Sequence, residues 1–342
     1  MALHDLTLLS KVVEDRVAKT TLQSAILLQQ LYQAGRMKTK ENTSIDWDVL
    51  VDDGGVAIEA VTVDGANTAV GTIVPANLRI GRYRVKHQFI VNRVDIKEAA
   101  TRSPQDIADL FTNHIDRGIT KITRETNRLL YEGTGNAASG EVIGLNYIVD
   151  NANAYAGIAS AANPTWSSVN LTNATARALT KTLLLKFDET VSINETSYNM
   201  IVMHPTVATR YNALFDQLGG GFVMVTADSA APKKVELGHG QRVFNGTPIF
   251  EDPMCPADRI YFLNGSDFDL YSFLLADNPT PQSQAEQKIS NASVFGLNMH
   301  IAELPSNNSA VRKFELFVLP QLRLYNRKSL QCISNIDPAL AA

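Results

Sequence analysis

The chain has 342 residues, 45% of them hydrophobic and 19% charged, with a formal charge of −4. That composition is globular, with enough apolar mass for one large domain or two interleaved ones, and it excludes a disordered polymer. It also lacks the basic surplus of a dedicated nucleic-acid binder. Two cysteines, Cys255 and Cys332, stand far apart with no CxxC and no zinc spacing, so they read as free thiols of a reducing cytosol. No apolar run reaches the length of a membrane span. The first residues, MALHDLTLLSKVVEDR, carry acids where a signal peptide needs a basic flank. Sequons at Asn42, Asn170 and Asn245 then reflect only how common Asn and Thr are here. The expectation is a soluble, cytoplasmically made protein that does not engage a membrane.

In chain order, the spacing of Leu6, Leu9, Val13, Val17, Leu22, Ile26 and Leu31 predicts helix from residue 5 to about 34. Asp5 stands at its N-cap and Gly35 at its stop. Val/Ile/Thr-rich runs follow at Val56–Val63 and Thr68–Val74, around the turn Asp64-Gly65-Ala66-Asn67. A third alternating run covers Arg82–Val94. Few large apolar residues fall on either face, which predicts a long, thin hairpin projecting from the body.

The clearest helix comes next. Ser103 is placed as N-cap, Pro104 at the first helical position and Asp106 in the first turn. Ile107, Phe111, Ile115, Ile119, Ile122 and Leu129 share one face, and Gly133 ends a helix of roughly 28 residues, or ~42 Å. Gly118 is its weak point, a candidate site of flexure. After a Gly-rich link the chain alternates. Helix is predicted over Asn173–Thr190, strand over Asn199–Met203, and helix from His204-Pro205 to Gly219-Gly220-Gly221. Strands return at Thr247–Glu251 and Arg259–Leu263, then at Ala292–Glu303 and Val311–Tyr325 about a turn at Pro305–Ser309.

No catalytic template fits. There is no GxxxxGK[ST], no GxGxxG after a strand, no GxSxG and no HExxH. The six histidines, His4, His87, His114, His204, His239 and His300, are scattered. His114 lies beside the apolar stripe of the long helix and reads as packed there. At His204 the backbone before Pro205 matters more than the imidazole. His239, between two glycines, is the one position suited to a ligand, yet no cysteine or acid stands at metal-ligand spacing. Asp267 and Asp269 form a DxD that reads as a solvated turn feeding a strand. Lys233-Lys234 and Arg36–Lys40 are short basic runs; the second is the better candidate for meeting phosphate, though a solvated linker explains it more simply. No cofactor and no metal are expected, and no enzyme activity.

The stretches Leu129–Gly135 and Ile143–Asp150, then Tyr155–Ile158 and Asn163–Trp166, resemble the end of the spine helix and the start of the axial domain in major capsid proteins of tailed double-stranded DNA phages. Ile201–Pro205 and Phe244–Asp252 are similar to the same family. These segments cover about half the chain, and the element order covers nearly all of it. The resemblance implies an α+β fold of the Hong Kong phage type, shared with encapsulin nanocompartments. Its parts would be an N-terminal arm (1–42), an extended hairpin (43–97), a peripheral domain (98–139, with the spine helix at 103–132) and an axial domain (140–289). The closing strands and C-terminus (290–342) would return to the peripheral domain.

It further implies a structural protein whose copies form hexamers and pentamers of an icosahedral shell around double-stranded DNA. Such a shell holds DNA without sequence-specific binding, because enclosure needs no affinity. Separate scaffold, portal and decoration proteins would be partners, with assembly in the host bacterial cytoplasm. Subunit contacts are expected at Asp64, Gly65, Ala66 and Asn67, and at Gly219, Gly220, Gly221, Lys233 and Lys234. Some relatives weld their shells through a lysine near the hairpin; none occurs from Gly54 to Val85, so no such cross-link is expected from the tip. Two rivals stand beside this reading: an encapsulin-like shell around enzyme cargo, and an α/β enzyme with a site near His239 and Asp267.

Overall fold

The computed structural model describes residues 25–52, 71–102, 104–135, 142–217, 242–275, 288–304 and 311–339. In chain order these hold α1 (Ile26–Gln33), β1 (Met37–Lys40), β2 (Ser44–Asp52), β3 (Thr72–Arg79), β4 (Val85–Asn92), α2 (Arg93–Arg102) and α3 (Pro104–Glu132). Then come α4 (Leu145–Val149), β5 (Val169–Leu171), α5 (Lys181–Ile193), β6 (Met200–Met203), α6 (Pro205–Gln217), β7 (Val243–Phe244), β8 (Thr247–Glu251) and β9 (Ile260–Leu263). Last are β10 (Phe268–Phe273), β11 (Lys288–Val294), β12 (Leu297–Leu304), β13 (Val311–Val318), β14 (Pro320–Leu324) and β15 (Leu330–Ile333). The chain divides into two compact units. One takes Met1–Trp47, Pro75–Tyr147 and Phe268–Arg323; the other takes Asp48–Val74, Ile148–Asp267 and Leu324–Ala342.

The first unit is organised by α3, where the spacing predicted it. Phe111, Ile115, Ile119 and Ile122 are buried on one side. That side meets an antiparallel sheet of order β11-β12-β13-β4. Phe314 of β13 stacks on Phe89 of β4 at 5.4 Å and takes the edge of Phe111 at 5.5 Å. Gly118 sits at the closest approach, where an added Cβ would lie 3.1 Å from both His87 and Leu316. The helix is unbroken across it. Ala25, the N-cap of α1, has no side-chain acceptor, so Asn127 of α3 supplies one: its Oδ1 accepts from the Leu28 amide at 3.1 Å. A smaller sheet, β1-β10-β14, completes the unit, with β1 parallel to β10.

The second unit holds a mixed six-stranded sheet, β5-β15-β9-β6-β8-β7. Its middle strands β15, β9 and β6 are buried along their whole length, as continuous apolar runs in a covered sheet should be. Phe187 of α5 and Val207 and Tyr211 of α6 join Phe262 and Ile249 in the core. Thr180 caps α5, its hydroxyl accepting from the Leu183 amide at 3.2 Å.

Several elements depart from expectation. The helix predicted from residue 5 is described only as α1, because residues 1–24 lie outside the described part. The helix predicted over 173–190 starts at Lys181, where Thr180 fixes it. Helix α2 was missed, because its charge-rich stretch Arg93–Arg102 lacks an apolar stripe. The run Ala292–Glu303 is two strands, β11 and β12, which turn at Phe295-Gly296, both at positive φ. Residues 290–342 do not all belong with the long helix. β15 inserts between β5 and β9 of the second unit, while β10, expected in the axial part, lies in the first. Residues 82–94, expected as part of a projecting hairpin, form β4, whose partner is β13. Ser103 and the turn Pro305–Ser309 lie outside the described residues.

A glycine serving only as a helix weak point would be replaced by alanine with a gain of about 1 kcal/mol. The tight approach to His87 and Leu316 removes that gain. Gly118→Val is expected to cost about 1–3 kcal/mol by overpacking, read as a lower midpoint in urea unfolding.

Candidate functional site

Chemistry-bearing residues are dispersed. Among the described residues no group of three or more His, Cys, Asp or Glu could hold a metal ion. His239, Lys233, Lys234 and Gly219–Gly221 lie outside the described residues, as do His4 and the turn Asp64, Gly65, Ala66 and Asn67. Cys255 and Cys332 are buried free thiols. Burial pushes Cys332 up to about 12 and Cys255 well above its usual value, so neither is a nucleophile at neutral pH. His204 does more than expected: its Nδ1 accepts from the Thr206 amide at 3.2 Å and caps the start of α6. His300 is buried, bonded through Nδ1 to Asn291 and through Nε2 to the Phe273 carbonyl at 2.9 Å. These are structural roles.

The DxD is a turn feeding a strand, as expected, but its second aspartate is not solvated. Asp267 closes a 3-10 turn, accepting from the Ser329 hydroxyl, and belongs to the second unit. Asp269 lies in β10 with no exposed side-chain surface. Lys38 Nζ reaches its Oδ2 at 2.8 Å and Arg323 Nη2 at 2.5 Å, while Arg36 Nη1 lies 3.7 Å from Oδ1. Arg323 also lies over the Tyr271 ring, 4.9 Å from its centroid. The basic run 36–40 is therefore the strand β1, not a linker. Two of its charges, Arg36 and Lys38, are spent on a buried carboxylate, and the Leu270 and Leu274 amides donate to the Arg36 and Lys40 carbonyls at 2.9 Å. Glu315 of β13 makes a second, shallower cluster: Gln88 donates to it at 2.7 Å, with Arg84 at 3.4 Å and Lys86 at 3.6 Å.

The base of the hairpin, β2 and β3, has two unlike faces. The Ile80 amide donates to the Thr43 carbonyl and Asn77 donates to Asp46, which fixes an antiparallel register and sets Leu50 opposite Ile73. Ile45, Val49, Val51, Ala76 and Leu78 are buried. On the other face Asp46, Asp48 and Asp52 are exposed, and Leu50 and Ile73 are 56% and 64% exposed. The predicted thin hairpin thus has one core-forming face and one apolar pair left to solvent. Beside Leu50, a cavity of about 310 Å³ is lined by Thr165, Trp166, Tyr325 and Lys328. The Thr165 hydroxyl closes part of its wall by donating to the Val51 carbonyl.

In the same unit Arg327 is fully buried. Its guanidinium donates to the carbonyls of Ile148 at 2.8 Å, Asp150 at 2.7 Å and Asn153 at 3.0 Å, and to the Ser160 hydroxyl at 2.7 Å. It organises loop 148–160. Nothing in the sequence marked it, because a lone arginine after Asn326 looks like surface. Taken together, these features hold the chain in shape and leave one apolar pair, Leu50 and Ile73, open on an otherwise polar ribbon face.

Solved structures of similar fold exist. The capsid asymmetric unit of cyanophage A-1(L) matches with a TM-score of 0.71 at 23% identity, over 92% of this chain and 93% of that one. The fold is that of a phage capsid protein. The capsid of the native GTA particle matches this capsid fold at 0.57 with 14% identity, over 89% of this chain and 90% of that one. The holo-SrpI encapsulin of Synechococcus elongatus PCC 7942 matches at 0.56 with 12% identity, over 100% of this chain and 99% of that one. No family model and no curated protein matches the sequence.

Asp269→Asn leaves its cations without a countercharge, and a loss of about 3 kcal/mol in denaturant unfolding is expected. Acid should also weaken the seat of α3. Burial, then the charges of Lys121 and His114, lowers His87 below its usual 6.5. The folded chain therefore resists a proton that the unfolded chain accepts. Stability is full above the unfolded value and falls as pH drops through the window below 6.5, down to the lowered folded value. Melting curves from about pH 7.5 to about pH 5 should show that slope, and His87→Gln should flatten it.

Proposed function

We propose that this chain is a shell-forming major capsid subunit. Its copies associate as hexamers and pentamers of a closed icosahedral shell around double-stranded DNA, in the virion of a tailed phage. The observation that carries this reading is the likeness to a phage capsid subunit along 92% of the chain. The exposed Leu50–Ile73 pair supports it, because a ribbon that keeps apolar residues in water suits burial against another copy.

In this reading residues 1–42 are the arm, 43–97 the hairpin, and the long helix with its sheet the peripheral domain. The axial domain takes 148–267 of the expected 140–289, with β15 returning to it. Asp64, Gly65, Ala66 and Asn67 at the hairpin tip, and Gly219, Gly220, Gly221, Lys233 and Lys234, meet neighbouring copies. Gly118 lets the helix adjust between hexamer and pentamer positions. The chain works by association and not by catalysis, with no cofactor; scaffold, portal and decoration proteins are separate partners. Assembly takes place in the host bacterial cytoplasm.

An encapsulin-like shell holding enzyme cargo is the second reading, favoured by the likeness to an encapsulin over 100% of this chain. The contents of purified particles, DNA or protein, separate the two.

Sedimentation velocity of the expressed chain, with electron microscopy of the fastest fraction, is expected to give closed shells, or hexamers and pentamers that join into shells. Leu50→Asp combined with Ile73→Asp should keep the circular dichroism of the wild type and lose the shells. A monodisperse dimer or tetramer from the wild-type chain overturns the reading.

A further inference from the structure

The outer side of α3 carries a charge pattern that packing does not explain. From residue 111 to residue 131 its exposed positions are Asn113, Arg117, Lys121 and Arg124, with Arg128 partly exposed one turn further on. At about 100° per residue the four cations fall within an arc of about 60°. From Arg117 to Arg128 they run for about 16 Å along the helix. No carboxylate enters that arc: Glu125 and Glu132 lie at its margin, and both are engaged by Arg128. Among the described residues Arg117, Lys121 and Arg124 form no ion pair. Four cations in one narrow stripe contrast with a whole chain of formal charge −4.

We propose that this stripe is a contact surface for the phosphate backbone of double-stranded DNA. It acts by charge alone and without sequence preference, and it places the outer side of α3 against the enclosed genome; the proposal rests on the reading of the chain as a DNA-enclosing shell. The chemistry favours a polyanion over a second copy of the chain. Protein interfaces are built around desolvated aromatic and aliphatic anchors and are poor in lysine. None of the exposed large apolar residues lies on this stretch of α3, whereas Leu50 and Ile73 give the hairpin ribbon just that character. A duplex presents one phosphate charge per about 1.7 Å of its axis, so a straight row of cations finds partners at any rotation and on any sequence. The three cations that form no ion pair here start with no protein bond to break. Such binding is weak and salt-sensitive, which suits a genome that must be packed and later released.

The test uses the full-length unassembled chain and a short fluorescent duplex of arbitrary sequence, with anisotropy followed across a range of salt. The wild-type chain is expected to bind, with log affinity falling linearly in log salt. Replacing Arg117, Lys121 and Arg124 together by Gln, which suits an exposed helix, should reduce that slope by about one per cation, about three in all. Asn113→Lys adds a cation to the same stripe and should steepen the slope by about one. Circular dichroism melting of each variant shows that the fold is kept. Slopes that match the wild type in both variants overturn the proposal. A triple-Gln variant that keeps DNA affinity but no longer forms shells also overturns it, and makes the stripe a contact between copies. Shell formation by the wild-type chain is scored separately. Its absence counts against the capsid reading and leaves the anisotropy result to judge the stripe.

Discussion

A carboxylate with no surface in water, that of Asp269, sets the arrangement of the three-stranded sheet. Each strand contributes one charge to it: Lys38 from β1, Asp269 from β10 and Arg323 from β14. An isolated buried carboxylate costs several kcal/mol of lost hydration, which only close, well-aligned partners offset. The strands that carry those partners are therefore held in register by more than backbone bonds. Because β1 follows α1 after a short turn, the same cluster anchors the start of the described chain, and Asn127 holds α1 from the other end through the Leu28 amide. Residues far apart in sequence are gathered by a few strongly directional contacts in a chain that is otherwise modestly charged.

The rest of the first unit follows from shape. The stripe of α3 is apolar at helical spacing, and the sheet beneath it presents Phe89, Phe314 and Leu316 at strand spacing. Gly118 lets the two surfaces approach closely, and the imidazole of His87 fills the space a side chain would have taken. The ribbon of β2 and β3 obeys the opposite rule on its two sides: one face is buried in the subunit, and the other keeps Leu50 and Ile73 in solvent. Those two residues are apolar surface that the chain does not cover with its own described residues.

Much of this was legible in the sequence, for a physical reason in each case. The long helix declared itself because its apolar period, its Pro at the first turn and Gly133 at its end all agree. The buried strand Met200–Met203 and the strand Ile260–Leu263 were visible as short continuous apolar runs. The two-stranded nature of 288–304 was hidden because Phe295-Gly296 is a tight turn flanked by residues that read equally well as strand. Helix α2 was hidden because no stripe marks it. The clusters at Asp269 and around Arg327 were invisible in principle, since each joins residues more than a hundred positions apart and no local pattern records such a meeting. Asp269 was judged solvated from its Gly and Ser neighbours. Burial reverses that judgement, because in the interior a charge must be matched and the neighbouring strands supply the match.

Arg327 and β15 tie the end of the described chain to the middle of the second unit. The loop 148–160 takes its shape from a guanidinium that lies about 170 residues further along the chain, and the six-stranded sheet closes only when Leu330–Ile333 slides between β5 and β9. Without that segment the second unit is a sheet with a missing inner strand and a loop with unsatisfied carbonyls. Removing Leu330–Ile333 or Arg327 therefore opens the second unit from within, although neither lies near the middle of the sequence.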